Sequence, residues 1–180
     1  MKGFDEVPGG FVDHADDEPA ELPPLEIPPG QFEAFIGASD DQAGGGASAC
    51  DYEIRRIRSD YVFKESLSGR LRKSDEQKGY LCALLAVAER IPPGSSVTIC
   101  CPAEWIVNAI KTDLARWYWA GELDRLNPKR KYAKIWLRIL KKREGLRKLS
   151  ARMPGKDDRA AIKLSQERAR AARPLRRQGN

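Results

Sequence analysis

The chain has 180 residues, 41% hydrophobic and 32% charged, which suits one domain with a tail and a real apolar core. With a mean hydropathy of −0.57 it has no run near the roughly 20 apolar residues that cross a bilayer, and the opening MKGFDEVPGG lacks the apolar stretch of a signal peptide. A soluble, cytoplasmic protein with no membrane partner is therefore expected. The net charge of +6 hides a gradient: residues 1–30 carry one lysine against eight carboxylates, net −7, which leaves +13 on the rest. Residues 125–180 alone hold 20 Lys and Arg against four carboxylates, an excess that suits a phosphate-bearing partner.

Residues 1–30 also contain six of the twelve prolines, a composition that predicts a disordered acidic tail. Such a tail serves either as a solubilising leader or as an intramolecular competitor for the basic surface. From Gln31 the pattern changes: QFEAFIG, ACDYEIRRI and YVFKESLSGRL alternate apolar and polar residues, and the loop around Gly44-Gly45-Gly46 and the turn at Arg58-Ser59-Asp60 separate them. The pattern predicts an antiparallel three-strand meander in which Tyr61, Phe63, Leu67 and Leu71 share a face.

Ser74 offers an N-cap for a helix carrying Leu81, Leu84, Leu85, Ala88 and Ile91, which Pro92-Pro93-Gly94 ends. SVTICC reads as a buried strand, and Pro102 is expected to open the helix PAEWIVNAIKTDL. There follow the aromatic segment ARWYWAGEL, a basic turn DRLNPKRK, and a helix with Ile135, Trp136, Ile139 and Leu140 facing inward. LRKLSARM supplies a fifth strand and Asp157 begins a final helix, before a basic tail at 173–180. The order is βββαβα(α)αβα, an α/β chain with a five-stranded mixed sheet and helices on both faces. Cys50, Cys82, Cys100 and Cys101 form no CxxC pair and none lies near His14, so they read as small core residues rather than zinc ligands or a disulfide framework.

From about Gln31 to Ala172 this order resembles the type 1 ribonuclease H fold. EAFIGAS is similar to the family's first strand, AGGGAS to the turn into the second, YLCALLAVAERI to the first helix, and ICCPAEWIVNAI to the fourth strand and its following helix. WYWAGELDRLNPKRKYAKIW resembles the basic protrusion, and MPGKDDRAAIKLSQERARAA the histidine loop and last helix. The resemblance implies hydrolysis of the RNA strand of an RNA–DNA hybrid by two divalent metals held by four carboxylates. Carried over, those carboxylates fall on Gly37, Tyr80, Pro102 and about Lys163, and the loop histidine falls near Lys156.

An ammonium about 4 Å from a divalent ion is opposed by roughly 8 kcal/mol at an effective dielectric near 20. The resemblance therefore implies an inactive relative with no cofactor. It binds hybrid or duplex nucleic acid through Trp117, Trp119, Arg125, Lys129, Arg130, Lys131, Lys134 and Lys156, with Lys141, Lys142, Arg143, Arg147, Lys148 and Arg152 adding charge. Of Trp117, Tyr118 and Trp119, two are expected in the core. One alternative is an active, Mg2+-dependent ribonuclease with relocated ligands: Asp40 or Asp41, Glu76, Glu104, and Asp157 or Asp158. Another is a non-catalytic scaffold that binds a protein partner.

Overall fold

The computed structural model describes residues 19–40, 47–59, 63–72 and 76–172; of the positions named above, His14, Asp41, Gly44, Gly45, Gly46, Asp60, Tyr61, Ser74 and the tail at 173–180 lie outside them, as do the side chains of Asp40, Leu67 and Leu71. Alternation builds the first strand. In β1 (Gln31–Asp40) Phe32, Ala34, Ile36 and Ala38 enter the main core, while Phe35, on the other face, joins Cys100, Ala161 and Ile162 in a second cluster. Antiparallel pairing adds β2 (Ala47–Ile57) and β3 (Lys64–Arg72) on one side of β1. On the other side β4 (Ser96–Cys100) and β5 (Lys148–Arg152) add in parallel, giving the order β3-β2-β1-β4-β5.

Helix α1 (Glu76–Arg90) is buried at every residue from Lys78 to Glu89, because the sheet covers one side and α4 (Ala133–Gly145) lies beside it. A Cβ at Gly79 would stand 2.8 Å from the Ala38 methyl and 3.1 Å from the Ala49 carbonyl, so only glycine permits this close approach of helix to sheet. The third strand ends in α1, which returns the chain to β4. After β4, α2 (Glu104–Asn108) passes through a π-helical turn, Ala109–Asp113, into α3 (Leu114–Trp119). Pro102 does not open this helix: Ala103 is the cap residue, and Pro102 stands outside it, where it ends the extended backbone of β4. A short 3-10 turn, Lys156–Asp158, leads into α5 (Arg159–Ala172), which covers the opposite face over β1 and β2.

Residues 19–30 belong to the folded body, contrary to the expectation of a disordered tail reaching Gly30. Leu25 is 9% exposed, and Leu22 and Ile27 pack against the main core. The Leu22 amide donates to Glu89, the Leu25 amide to the Arg90 carbonyl, and Arg138, Arg90 and Arg56 donate to the carbonyls of Pro19, Pro23 and Pro28. Proline supplies no backbone donor, yet its carbonyls accept from guanidinium groups, so a proline-rich strap binds a basic surface without any sheet pairing. All four cysteines are free and buried.

Candidate functional site

Gly37 lies on the α5 face of β1, and α5 packs on it directly: a Cβ there would stand 2.8 Å from the Ser165 carbonyl carbon and 2.9 Å from the Gln166 nitrogen. Directly across the ladder from Gly37 is Asp51. Its side chain has no exposure and accepts from Ser165 at 2.7 Å, from Ser68 at 2.9 Å and from the Arg168 guanidinium at 2.8 Å. Glu53, equally buried, takes Arg168 at 3.4 Å, Lys64 at 3.4 Å, and Arg55. The carboxylates beside Gly37 are thus neutralised by cations of α5 and the flanking strands.

Tyr80 and Pro102 meet at the end of β4. Together with Glu76, Gln77, Ala103 and Trp105 they line a cavity of about 240 Å³. Burial pushes the Tyr80 phenol up to about 12, and Gln166 hydrogen-bonds its oxygen. The α5 residue turned towards this corner is therefore Gln166. Lys163 is not: its side chain is 79% exposed and stands 3.9 Å from Glu167 along the helix surface.

Two hard divalent cations held close together require several anionic oxygens. Of the cavity's lining residues only Glu76 carries one. Glu104 is exposed in the first turn of α2 and does not line the cavity. Asp158 is engaged elsewhere: Arg152 donates to it at 2.5 and 3.0 Å and the Gly155 amide at 2.6 Å, which together hold its carboxyl down to about 2. No group of three ligating side chains capable of holding a metal exists among the described residues. Among the described residues, the donor set does not fit a metal pair.

The basic protrusion divides into a braced part and an exposed part. Trp117 stands edge-on to Trp136 at 5.6 Å, with Arg130 over its other face at 4.7 Å, and Arg130 is itself paired with Glu122. These two residues, expected to touch nucleic acid, are engaged with each other, with Trp136 and with Glu122. Only one of the three consecutive aromatics packs inward: Tyr118 is 48% and Trp119 84% exposed. The reason is the π-helical turn, which shifts the phase of α3 so that its inward stripe falls on Leu114 and Trp117.

Arg125, Lys129, Lys131 and Lys134 are exposed, and Arg125, Arg130 and Lys134 line a second cavity of about 200 Å³. Lys131 stacks on Tyr132 at 4.8 Å. Lys156 is exposed in the 3-10 turn. Within the downstream run, Lys142 pairs with Glu21, Arg143 reaches the Ile110 carbonyl at 3.5 Å, and Arg152 holds Glu33 and Asp158, so these three support the fold; Lys141, Arg147 and Lys148 are exposed.

No family model matches the sequence, and no curated protein matches it. Solved structures do. A type 1 RNase H with the type 2 active-site motif superposes with a TM-score of 0.65 at 13% identity, over 82% of this chain and 74% of that one. A foamy viral protease-reverse transcriptase in complex with RNA/DNA hybrid gives 0.64 at 14% identity over 85% of this chain, which spans only 21% of the viral one. The N-terminal RNase H domain of Rv2228c from Mycobacterium tuberculosis, solved as a fusion with maltose binding protein, gives 0.54 at 11% identity, over 78% of this chain and 93% of that one. With the same order of strands and helices on both faces of the sheet, the chain has the ribonuclease H-like fold.

Proposed function

We propose that this domain binds nucleic acid through backbone contacts at the protrusion and does not cleave it. The observation that carries this reading is the set of exposed cations Arg125, Lys129 and Lys134, which form no ion pair with any described residue, in the segment that follows the exposed indole of Trp119 in the chain. Cations that have no internal partner suit phosphates, and an exposed aromatic packs on sugar or base faces. A structure of the same fold holds an RNA/DNA hybrid, which supports a hybrid or duplex as the ligand. The absence of cleavage is supported by the cavity's lining, in which Tyr80 and Pro102 stand and Glu76 is the one carboxylate among the described residues.

Fluorescence anisotropy with hybrid, duplex RNA and duplex DNA tests this reading. Affinity should fall steeply with salt, and Arg125→Glu combined with Lys129→Glu should lower affinity at least about tenfold and flatten the salt slope. No binding at low salt to any of the three overturns the binding, as does Mg2+- or Mn2+-dependent hybrid cleavage that Glu76→Gln abolishes for the inactive part. A second reading, a docking module for a protein partner, draws on Leu126 and Trp119, 96% and 84% exposed. It predicts binding that salt barely weakens.

A further inference from the structure

The cavity ahead of α4, about 200 Å³, is built from one stretch of chain: all its lining residues fall between Asp124 and Ile135. The loop of the protrusion and the first turn of α4 form its walls. Ala133 and Ile135, 5% and 1% exposed, make the floor with the half-buried Tyr132, whereas Asp124, Arg125, Arg130 and Lys134 are exposed around the mouth. The result is a recess, apolar at its base and charged at its rim. Three cations there face one carboxylate. Arg130 is paired with Glu122, and Asp124 accepts from the Leu126 amide at 2.7 Å; Arg125 and Lys134 form no ion pair with any described residue.

A cation excess at the mouth of a recess selects an anion, and the shape selects which one. An internal phosphodiester carries one negative charge and is joined to a sugar on both sides, so the strand must run past its site. It meets cations best on an open surface, as at the exposed Lys129, which does not line the recess. A terminal phosphate is joined on one side only and so enters a site that has a floor. It carries about −1.5 to −2 at neutral pH and three acceptor oxygens, which suit the two-pronged Arg125 guanidinium together with the Lys134 ammonium. At about 200 Å³ the recess is smaller than the roughly 300 Å³ at which drug-sized pockets begin, so it takes an end group rather than a whole nucleotide.

We propose that this recess holds the terminal phosphate of a nucleic-acid strand, gripped by Arg125 and Lys134, with the apolar edge of the last sugar against the floor. The protrusion then recognises strand ends as well as strand backbones. This site rests on the nucleic-acid reading, but the gain from a terminal phosphate is read separately from binding of the same strand with hydroxyl ends. The full chain is titrated by fluorescence anisotropy with a short blunt RNA–DNA hybrid of one sequence in three forms: hydroxyl ends, 5′-phosphate and 3′-phosphate. A terminal phosphate should tighten binding about tenfold, the worth of one added charge-assisted contact, and the form that shows the gain identifies the strand end.

Arg125 and Lys134 are exposed, so Arg125→Gln and Lys134→Gln should both fold, and each should erase most of the gain. Lys129→Gln, outside the recess, should weaken all three forms alike and leave their ratio unchanged. Equal affinity for the three forms overturns the recess and leaves the backbone reading intact. Binding of a phosphorylated form with none of the hydroxyl-ended hybrid supports the recess and overturns the backbone reading, and silence towards all three overturns both. A gain that survives in both Arg125→Gln and Lys134→Gln, or that Lys129→Gln erases as fully as they do, overturns the assignment to this cavity.

Discussion

Gly37 and Asp51 face each other across one rung of the ladder, and what surrounds them decides whether a cation centre could ever be rebuilt there. Because the α5 backbone stands 2.8 Å from where a Cβ would be, Gly37→Asp must push the helix off the sheet. Overpacking of this kind costs about 1–3 kcal/mol before the added charge is counted, so thermal unfolding should show a loss of about 3 kcal/mol or more, and magnesium should not restore it. Arg168→Ala leaves the fully buried Asp51 and Glu53 without their shared cation and should cost about 3 kcal/mol in urea unfolding. Lys163→Ala, at an exposed i,i+4 pair, should change stability by less than about 0.5 kcal/mol. Burial pushes the Cys100 and Cys101 thiols up to about 12, so a thiol reagent at pH 8 should leave the native protein unlabelled and react only after denaturant is added.

Among the elements, the junction of β5 with α5 carries a pH dependence. The Asp158 carboxyl is held down to about 2 by Arg152, below its ordinary 3.8. A depressed folded-state value means the pair stabilises the protein above about pH 4, and this contribution is lost as pH falls towards 2. The full effect would be about 2 kcal/mol, reduced by screening because Arg152 is 36% exposed. Arg152→Ala should therefore lower stability at pH 6 and much less at pH 2, as followed by thermal melts across that range.

Several elements were legible because their periodicity is strong: the alternation in QFEAFIG and DYEIRRI and the helical spacing of Leu81, Leu84 and Leu85 lead directly to β1, β2 and α1. The phase of α5 was not read correctly from the motif resemblance, which placed Lys163 at the site. The stripe Ala161, Ser165 and Ala169, buried at four-residue spacing, was the available signal, since small residues mark the side of a helix that approaches a sheet. The π-helical turn left no sequence signal, which is why two of Trp117, Tyr118 and Trp119 were expected inside where only Trp117 packs inward. Asp51 with Arg168 was equally hidden, because the pair lies 117 residues apart in the chain.

For the whole molecule, charge is distributed by role. Arg56, Arg90, Arg138 and Lys142 fasten residues 19–30, Arg152 and Arg168 hold the α5 layer, and Arg125, Lys129 and Lys134 are exposed at the protrusion. A count of lysine and arginine overstates the binding surface for this reason. The strap was misread because proline and glutamate dominate its composition, although Leu22, Leu25 and Ile27 interrupt it at short intervals. Leu25→Ala should destabilise the protein by about 2 kcal/mol, measured by chemical denaturation.

The strap also sets where the autonomous unit begins. Cleaving the chain at Gln31, just ahead of the first strand, would uncover the greasy slot along α1 and strip Glu89 of the Leu22 amide, while burial already pushes that carboxyl up. Such a fragment should stick to itself and resist purification, whereas one that starts at Pro19 keeps its own lagging and should behave as a well-mannered solute.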